Sequence, residues 1–309
     1  MKLIESVNEN SGPMSENAES MNENSEPVSE NAEQTKEIAF EAVNLSFQYP
    51  DGTVILKNID LKIYKGEFTI IAGPNGSGKS TFALHLNGLL KPTSGKLLVF
   101  GKDTKKHKNV SAIHKEVGIV FQNPYTQFVG NTVSEDVAFG PENLGFSRGE
   151  IKTRVDAALS AVRMTDLSAK DPSSLSGGEA QAAAIAGILA MGTECIVFDE
   201  ITSMLDHNAT GRVLNLIQEL RERKKTVIYI SHEPKDILSA DRIIVLDKGS
   251  VTFDGKTECY LKSGIYPLPD LVQLMKLLQE TGADVSEAVA SPQEAADEIR
   301  KWMDKNSQK

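Results

Sequence analysis

The segment 73–81, GPNGSGKST, has the residue types and spacing of a loop that binds phosphate. It matches the pattern Gly-x-x-x-x-Gly-Lys-Ser/Thr, follows an apolar run and precedes a run typical of a helix. Glycines let backbone N–H groups converge on an anion, and the N-terminus of a helix adds its dipole. We expect Lys79 to reach the β- and γ-phosphates of a nucleotide and the hydroxyl of Ser80 to bind Mg²⁺. The predicted nucleotide contacts are Gly73, Pro74, Asn75, Gly76, Ser77, Gly78, Lys79, Ser80 and Thr81.

A pair of carboxylates ends a second apolar run, CIVFDE at 195–200. The phosphate loop alone leaves kinases, GTPases, helicases and transport ATPases open. Asp199 at the end of a strand can hold Mg²⁺ through water, and Glu200 can polarise an attacking water as a general base. Two acids at a strand end can also be merely solvated. Because the phosphate loop is present in the same chain, the pair favours a site that hydrolyses the nucleotide.

The alanine-rich run that follows Ser176-Gly177-Gly178-Glu179 predicts a helix that begins with two glycines. A glycine inside a helix costs about 1 kcal/mol relative to alanine. The pattern Ser-x-x-Glu fits a capping box, which explains Ser176 and Glu179 but not the glycines. Bare glycines at a helix N-terminus suit a second anion site. Since the phosphate loop already holds one nucleotide, this second site is predicted to complete the nucleotide site of another copy or a homologue, in a head-to-tail dimer.

In chain order, the segments GPNGSGKST, VFQNP, LSGGE, VFDE, SMLD and YISHE resemble the motifs of ATP-binding-cassette (ABC) ATPases, over residues 38 to about 260. The resemblance implies that Tyr49 stacks on adenine and that Gln122 binds Mg²⁺ and the catalytic water and reports to a membrane partner. It also implies that Asp206 couples two sites across the dimer and that His232 contacts the γ-phosphate. Taken singly, three of them have ordinary structural interpretations: Tyr49 as a strand aromatic, Gln122 as a loop polar residue and His232 as a strand-end histidine. The expected catalytic residues are Glu200, His232 and Gln122, and the expected Mg²⁺ ligands are Ser80, Gln122 and Asp199.

The segment 121–151 is similar to the energy-coupling factor (ECF) ATPases of vitamin and metal uptake and to the related cobalt-import ATPases. The stretch QFVG at 127–130 resembles the A1 type, and 268–285 resembles the C-terminal helices that help hold such ATPases in pairs. The resemblance implies an ATP-driven import complex with a second ABC ATPase, a transmembrane coupling protein and a substrate-capturing membrane protein. It places the chain peripherally on the cytoplasmic side of the cell membrane, with the partner's coupling helices docked just after Gln122. The cargo is left open.

Three residues depart from the usual signature of that family. Glu179 stands where the family usually has Gln, and Ala180 and Ala182 stand where a basic residue and an arginine are common. A helix dipole attracts an anion by only about 0.3–1 kcal/mol at an exposed site, so a nearby carboxylate can offset much of it. We hypothesise that Glu179 slows hydrolysis at the composite site that uses this signature. The alternative is that Glu179 turns away as the cap partner of Ser176.

The elements that position these residues follow from the apolar patterning. Short apolar runs rich in β-branched residues predict buried strands at 68–73, 117–121, 195–198, 226–231 and 242–246. Helices are predicted between them, at 151–163 and 209–222 among others. This alternation predicts an α/β fold of the P-loop ABC type, with a mainly parallel sheet, an antiparallel β subdomain at 38–64 and a helical subdomain that carries the signature.

The chain is predicted to have three parts. Residues 1–36 contain a tandem acidic repeat of 14 residues without aromatics and are expected to be disordered. Residues 37–264 form the ATP-binding domain, and 265–309 form a C-terminal helical dimerisation appendage with helices at 270–280 and 291–302.

Composition narrows the class of protein. A net charge of −10 weakens the alternative of a soluble ABC ATPase that acts on nucleic acid or ribosomes, because such proteins usually carry a basic face. That class also often has two cassettes or coiled-coil insertions, which this chain lacks, and exporter motors are commonly fused to membrane spans.

Cys195 and Cys259 predict no disulfide framework and a reducing compartment. No apolar run reaches the roughly 18 residues of a span, so the chain is expected to be soluble or held at the membrane by a partner.

Overall fold

The structure, a computed structural model, describes residues 36–203, 205–263, 268–286, 289 and 292–307. The acidic repeat therefore lies outside the described residues, and its disorder stays a prediction. The strands are β1 (Ile38–Gln48), β2 (Val54–Tyr64), β3 (Phe68–Ala72), β4 (Ser94–Val99), β5 (Lys102–Asp103), β6 (Val117–Val120), β7 (Cys195–Asp199), β8 (Thr226–Ile230), β9 (Arg242–Asp247) and β10 (Ser250–Lys256). The helices are α1 (Lys79–Leu86), α2 (Val110–Glu116), α3 (Val133–Asn143), α4 (Arg148–Ala161), α5 (Gly177–Met191), α6 (His207–Glu222), α7 (Thr257–Ser263), α8 (Asp270–Glu280) and α9 (Pro292–Ser307).

The strands pair into a smaller antiparallel sheet and a larger sheet that is mainly parallel. The smaller sheet has the order β2-β1-β4-β5, and the larger has the order β10-β9-β3-β8-β7-β6. Strands β9, β3, β8, β7 and β6 are parallel to one another, and β10 is antiparallel to β9 at the edge. The predicted α/β architecture and the antiparallel piece at 38–64 are confirmed.

Apolar side chains cover the larger sheet on both of its faces. Every residue of β3, β7 and β8 is buried, which is the pattern expected of parallel strands covered on both faces. Between the two sheets, Phe82 and Leu86 of α1 are fully buried, and burial of each stabilises the fold by about 1.5–3 kcal/mol. On the other face, α6 packs one stripe formed by Val213, Ile217 and Leu220. Helix α1, which begins at Lys79, is thus held rigidly behind the phosphate loop.

Helices α3, α4 and α5 pack around a separate apolar core, which is the helical subdomain expected to carry the signature. Two of these helices begin at a capping box, Ser147 with Glu150 in α4 and Ser176 with Glu179 in α5. The cap moves the start of the helix predicted at 151–163 back to Arg148. Helix α3 was not among the elements predicted, although Thr132 caps it.

The C-terminal helices form a small cluster of their own. Helix α8 coincides with the prediction at 270–280, and α9 runs beyond the predicted end at 302 to Ser307. Their shared core consists of Met275, Ala283, Val285, Val289 and Ala295. Dimerisation through this appendage stays a prediction.

Candidate functional site

The phosphate loop closes around its own lysine. The Nζ atom of Lys79 donates hydrogen bonds to the carbonyl oxygens of Gly73 at 2.9 Å and Pro74 at 3.2 Å, and its side chain is only 4% exposed. Gly73 has φ 149°, and a Cβ atom there would lie 2.1 Å from the carbonyl oxygen of Leu246. Only glycine fits that position, because a side chain would collide with the backbone of β9.

The turn between β9 and β10 supports the loop from behind, a role that the sequence analysis missed. The N–H of Gly249 donates to the carbonyl oxygen of Ser77 at 3.0 Å, and its own carbonyl accepts from the N–H of Lys57 at 2.8 Å. A Cβ atom on Gly249, which has φ 84°, would lie 2.1 Å from the carbonyl oxygen of Ile55. The Lys-Gly pair after an apolar strand predicts a turn, but nothing in the sequence places that turn against the phosphate loop.

Strand order brings the remaining polar groups to this loop. Strand β8 lies between β3 and β7, so the carboxyl ends of these parallel strands meet at one edge of the sheet. Ser80, at the start of α1, donates its hydroxyl hydrogen to Asp199 at 3.0 Å. Burial raises the pKa of the Asp199 carboxyl, against the opposing effects of this hydrogen bond and of the Lys79 charge. A hydroxyl beside a buried carboxylate is an oxygen donor set that suits Mg²⁺, which binds one or two carboxylates together with phosphate and water.

Glu200 adopts a backbone conformation that is unusual for its residue type. Its φ is 50°, in the left-handed region that costs about 1–3 kcal/mol outside glycine. The turn directs its carboxylate toward Lys79, whose Nζ lies 3.5 Å from Oε1, and toward His232, whose Nδ1 lies 3.3 Å from Oε2. In the described part of the chain that Nδ1 is buried and makes no hydrogen bond. The Glu200 carboxylate therefore lies between the ammonium group of Lys79 and the imidazole ring of His232.

The loop that carries His232 is pinned by a buried serine–aspartate pair that sequence analysis also missed. Ser231 donates its hydroxyl hydrogen to Asp236 at 2.6 Å and accepts from the N–H of Glu233 at 2.9 Å. Asp236 is 9% exposed, and burial raises the pKa of its carboxyl. An aspartate four residues beyond a strand-end histidine is too common a pattern to have predicted this contact.

Gln122 is tied to the segment that follows the acidic pair. Its Nε2 donates to the hydroxyl of Ser203 at 3.1 Å, and that hydroxyl donates to the carbonyl oxygen of Glu200 at 2.8 Å. Gln122 also lines the cleft above the phosphate loop, which has a volume of about 410 Å³, within the range usual for small-molecule sites. The residues around this cleft are Ile55, Asn75, Gly76, Gly78, Lys79, Ser80, Thr81, Gln122 and Glu200.

Tyr49 stands beside the same loop. Its hydroxyl lies 3.5 Å from the Thr81 hydroxyl, and its half-buried ring packs edge-on against Phe47 with ring centroids 4.9 Å apart. Phe47 in turn packs edge-on against His85 of α1. The ring contacts from Tyr49 through Phe47 to His85 fix the position of the Tyr49 ring relative to α1. A ring that stacks on a flat ligand needs such a fixed position.

The signature residues are placed differently. The Glu179 carboxylate accepts hydrogen bonds from the N–H and the hydroxyl of Ser176, both at 2.8 Å, and these bonds, with the charges of Lys170 and Arg212, lower its pKa. A Cβ atom on Gly178 would lie 2.8 Å from the Cβ of Ala209 in α6. One of the two helix-opening glycines is therefore required for packing against α6, which the sequence does not indicate. The capping box, the alternative interpretation of Glu179, is present.

The cleft does not contain every predicted site residue. Within the described residues, none of the four signature residues 176–179 borders it. Asp206 does not border it either, and its carboxylate caps α6 by accepting from the N–H of Ala209 at 2.8 Å. Asp199 and Glu200 are joined to the phosphate loop by a hydrogen bond and an ion pair, whereas among the described residues no hydrogen bond or ion pair joins the signature residues 176–179 to that loop.

Comparison with known proteins agrees with this arrangement. Residues 56–203 match the family model described as ABC transporter. The ECF transporter ATP-binding protein EcfA of Methanosarcina acetivorans is 48% identical over 263 residues, which cover 83% of this chain and 96% of that protein. The chain belongs to the ABC ATPases of the energy-coupling factor type. As a member of this family it binds and hydrolyses ATP.

Solved structures of ABC cassettes have the same fold. CbiO1 of Clostridium perfringens, part of the ABC transporter complex cbiONQ, has a TM-score of 0.68 and 32% identity, covering 80% of this chain and 98% of that one. A dimeric ATP-binding cassette in a post-hydrolysis state with ADP and Pi has a TM-score of 0.65 and 30% identity, covering 71% and 98%. In the described residues, no helix of this ABC ATPase has the length and apolar character needed to cross a membrane.

Proposed function

We propose that this ABC ATPase is the ATP-hydrolysing subunit of an energy-coupling factor import complex for vitamins or metal ions, peripheral on the cytoplasmic side of the membrane. The observation that carries the proposal is the separation, within one chain, of the cleft at Lys79 from the signature helix at Ser176. A cleft that lacks its signature is completed by a second cassette facing it, either another copy or a homologue. The solved dimeric cassette with ADP and Pi supports such a pairing for a relative.

The chain's own residues have distinct parts in hydrolysis. Lys79 leaves the carbonyl oxygens of its loop to meet the β- and γ-phosphates, and Tyr49 supports the adenine. Glu200, held between Lys79 and His232, takes a proton from the attacking water, and His232 contacts the γ-phosphate. Ser80, Asp199 and Gln122 would hold Mg²⁺, which would supply neutralisation of the charge on the phosphates.

The facing chain supplies the remaining contacts. The hydroxyl of Ser176 and the backbone N–H groups of Gly177 and Gly178 meet the γ-phosphate at the N-terminus of α5. Asp206, at the start of α6, lies at the subunit boundary and couples one site to the other. ATP binding thereby closes the pair, and hydrolysis reopens it.

An apolar groove beside Gln122's segment suits the coupling helices of a membrane partner. It runs between α2 and α3 and is lined by Leu89, Val110, Phe139, Leu144, Ile188 and Met191 among others. Leu89 is 52% exposed and Phe139 49% exposed, and both line this one groove, so they belong to a contiguous apolar patch of the kind that marks an interaction site. Closure of the cassette pair would move this groove and so pass motion to the membrane subunit.

The C-terminal helices offer a second contact between ATPases. Leu274 and Leu277 lie three residues apart on one face of α8 and are 46% and 59% exposed. Neighbouring apolar residues on one helix face suit helix-to-helix contact. We propose that this face contributes to holding the two ATPases together.

Affinity purification from detergent-solubilised membranes tests the proposed function. We expect a second ABC ATPase and a small multi-span protein to copurify, and we expect Phe139→Glu to lose the multi-span protein. Val54→Glu is the matched control, because Val54 is equally exposed at 49% but lies on β2, away from the groove. Recovery of ribosomal proteins or nucleic acid in place of membrane proteins would contradict the proposal and favour the alternative class.

A further inference from the structure

The segment 102–116 is a basic island in an acidic chain. It contains five lysines against Asp103 and Glu116, a net charge of +3, whereas the whole chain carries −10. It consists of β5, a single turn of 3₁₀ helix at His107–Asn109, and α2. Because the net charge of this segment is positive and that of the whole chain is negative, the segment can attract anions that the rest of the chain repels.

Both acids of the segment are engaged within it. Lys102 donates to the two carboxylate oxygens of Glu116 at 2.8 and 2.9 Å, which joins the start of the segment to its end. The carboxylate of Asp103 accepts from the N–H of Lys105 at 2.9 Å, and its carbonyl oxygen accepts from Asn109 at 3.0 Å. The segment is therefore a closed, compact loop whose other lysines have no acid within it.

Four lysines of this loop form a surface that we name the basic edge, Lys105, Lys106, Lys108 and Lys115. All four are exposed, and in the part of the chain that the structure describes no ion pair to them is found. On the inner side, Ile113 of α2 is fully buried in the core between the sheets. Burial of that residue fixes the loop, so the lysines are held at the surface on a rigid base.

The basic edge borders the apolar groove of the proposed function. Lys108 lines the groove together with His107, Ser111 and His114 from the same segment. If the groove receives a segment of a membrane-embedded subunit, the loop beside it faces the membrane. The same surface then both faces the membrane and carries the exposed lysines.

We propose that the basic edge contacts the anionic headgroups of the membrane in which the partner is embedded, an inference that rests on the proposed function. A lysine near an anionic bilayer surface strengthens attachment about fivefold, and clusters of four or more are typical of such contacts. A nucleic acid is the weaker fit, because its binders usually present a broad basic face, whereas here the net positive charge is confined to one short loop of a chain that carries −10 overall. The attachment would orient the ATPase with its groove toward the membrane subunit.

Vesicle cosedimentation of the full chain tests the proposal. The variant carries Lys105→Glu, Lys106→Glu and Lys115→Glu together; Lys108 is left in place because it lines the groove. We expect the native chain to bind vesicles of phosphatidylcholine with phosphatidylglycerol and to lose that binding at high salt. We expect the triple variant to bind about a hundredfold more weakly. Pure phosphatidylcholine vesicles should bind neither protein.

The matched control carries Lys57→Glu, Lys256→Glu and Lys262→Glu, three exposed lysines outside the basic edge. It has the same net charge as the variant. We expect its binding to anionic vesicles to stay within about twofold of that of the native chain, because charges far from the bilayer act only at long range and are screened by salt. An equal fall in both triple variants, or no preference of the native chain for anionic vesicles, would overturn the proposal. Loss of binding to a short oligonucleotide with vesicle binding unchanged would also overturn it. ATP hydrolysis and copurification of the multi-span protein are measured on the same variants, so failure of the proposed function is seen separately.

Discussion

The phosphate loop of one chain and the signature helix of the facing chain are expected to bind the same nucleotide, yet the two elements are built differently. The loop holds Lys79 through two of its own carbonyl oxygens and brings Glu200 within 3.5 Å of the ammonium group. The signature helix is capped by Ser176 and Glu179 and packs Gly178 against Ala209. One half is a set of charged groups assembled around a cleft, and the other is a capped helix end whose carboxylate, Glu179, is bonded to Ser176. The groups that perform the chemistry therefore belong to the first half, and the second half supplies recognition of the nucleotide.

The largest effect on ATP hydrolysis is expected for Glu200→Gln. Gln keeps the size of the side chain but cannot take a proton, so we expect hydrolysis to fall by about 10²–10⁴-fold while ATP affinity is kept. Single-turnover hydrolysis and ATP titration measure the two quantities. Unimpaired turnover would remove Glu200 from its proposed role.

Lys79→Ala should act on binding in the same half. Removing the buried ammonium leaves the carbonyl oxygens of Gly73 and Pro74 without their donor and the phosphates without a cation. We expect markedly weaker ATP binding in an equilibrium titration. Lys57→Ala on β2 is the control for loss of one positive charge, and native affinity in Lys79→Ala would contradict the phosphate-cradle interpretation.

On the signature side, Gly178→Ala should act mainly on packing. The new methyl group would lie 2.8 Å from Ala209, and overpacking of this kind costs about 1–3 kcal/mol of unfolding free energy. Gly187→Ala in the same helix meets open space and should be neutral or stabilising by up to about 1 kcal/mol. Denaturant unfolding measures both.

A second substitution separates packing from phosphate contact at that glycine. Adding Ala209→Gly to Gly178→Ala removes the collision, so we expect stability to recover partly in the double variant. If hydrolysis stays low while stability recovers, Gly178 also serves the phosphate. If hydrolysis recovers as well, the glycine is required for packing alone.

Asp199→Asn should raise stability while it impairs hydrolysis. The pKa of this carboxyl is raised by burial, so its ionised form is less stable in the folded chain than in the unfolded chain. The stability penalty is absent below the unfolded pKa of about 3.9 and develops as the pH rises through the folded pKa. We expect Asn to increase the thermal midpoint at neutral pH and not near pH 3, in Mg²⁺-free buffer. An unchanged midpoint at neutral pH would contradict the burial argument.

The smallest effect is expected for Glu179→Gln. Gln can still accept the hydrogen bonds of the Ser176 cap, so the substitution changes the charge and preserves the geometry. Loss of a carboxylate near the helix N-terminus should raise turnover by about two- to fivefold, the range that corresponds to 0.3–1 kcal/mol. Identical single-site kinetics would show that the cap and the charges of Lys170 and Arg212 already neutralise Glu179.

Much of the fold was predictable because its determinants are local. Apolar runs predicted β3, β7 and β8, and the glycine spacing predicted the loop that follows β3. The supports of the site were not predictable, since Gly249 behind Ser77 and Ser203 against Gln122 depend on residues brought together only by strand order. No sequence pattern predicts the left-handed conformation of Glu200, because the contacts that offset its cost come from residues distant in the chain: its N–H donates to the carbonyl oxygen of Ile230 in β8, and its carboxylate lies beside Lys79 of α1.

The central claim is that a nucleotide on one chain is completed by the signature of a facing molecule. Its most direct test is the mass of the Glu200→Gln protein, saturated with ATP, in sedimentation equilibrium, alone and with its copurified ATPase. We predict a pair of cassettes that dissociates without ATP, and we predict that adding Ser176→Arg prevents the pairing. A strictly monomeric protein under both conditions would contradict the account.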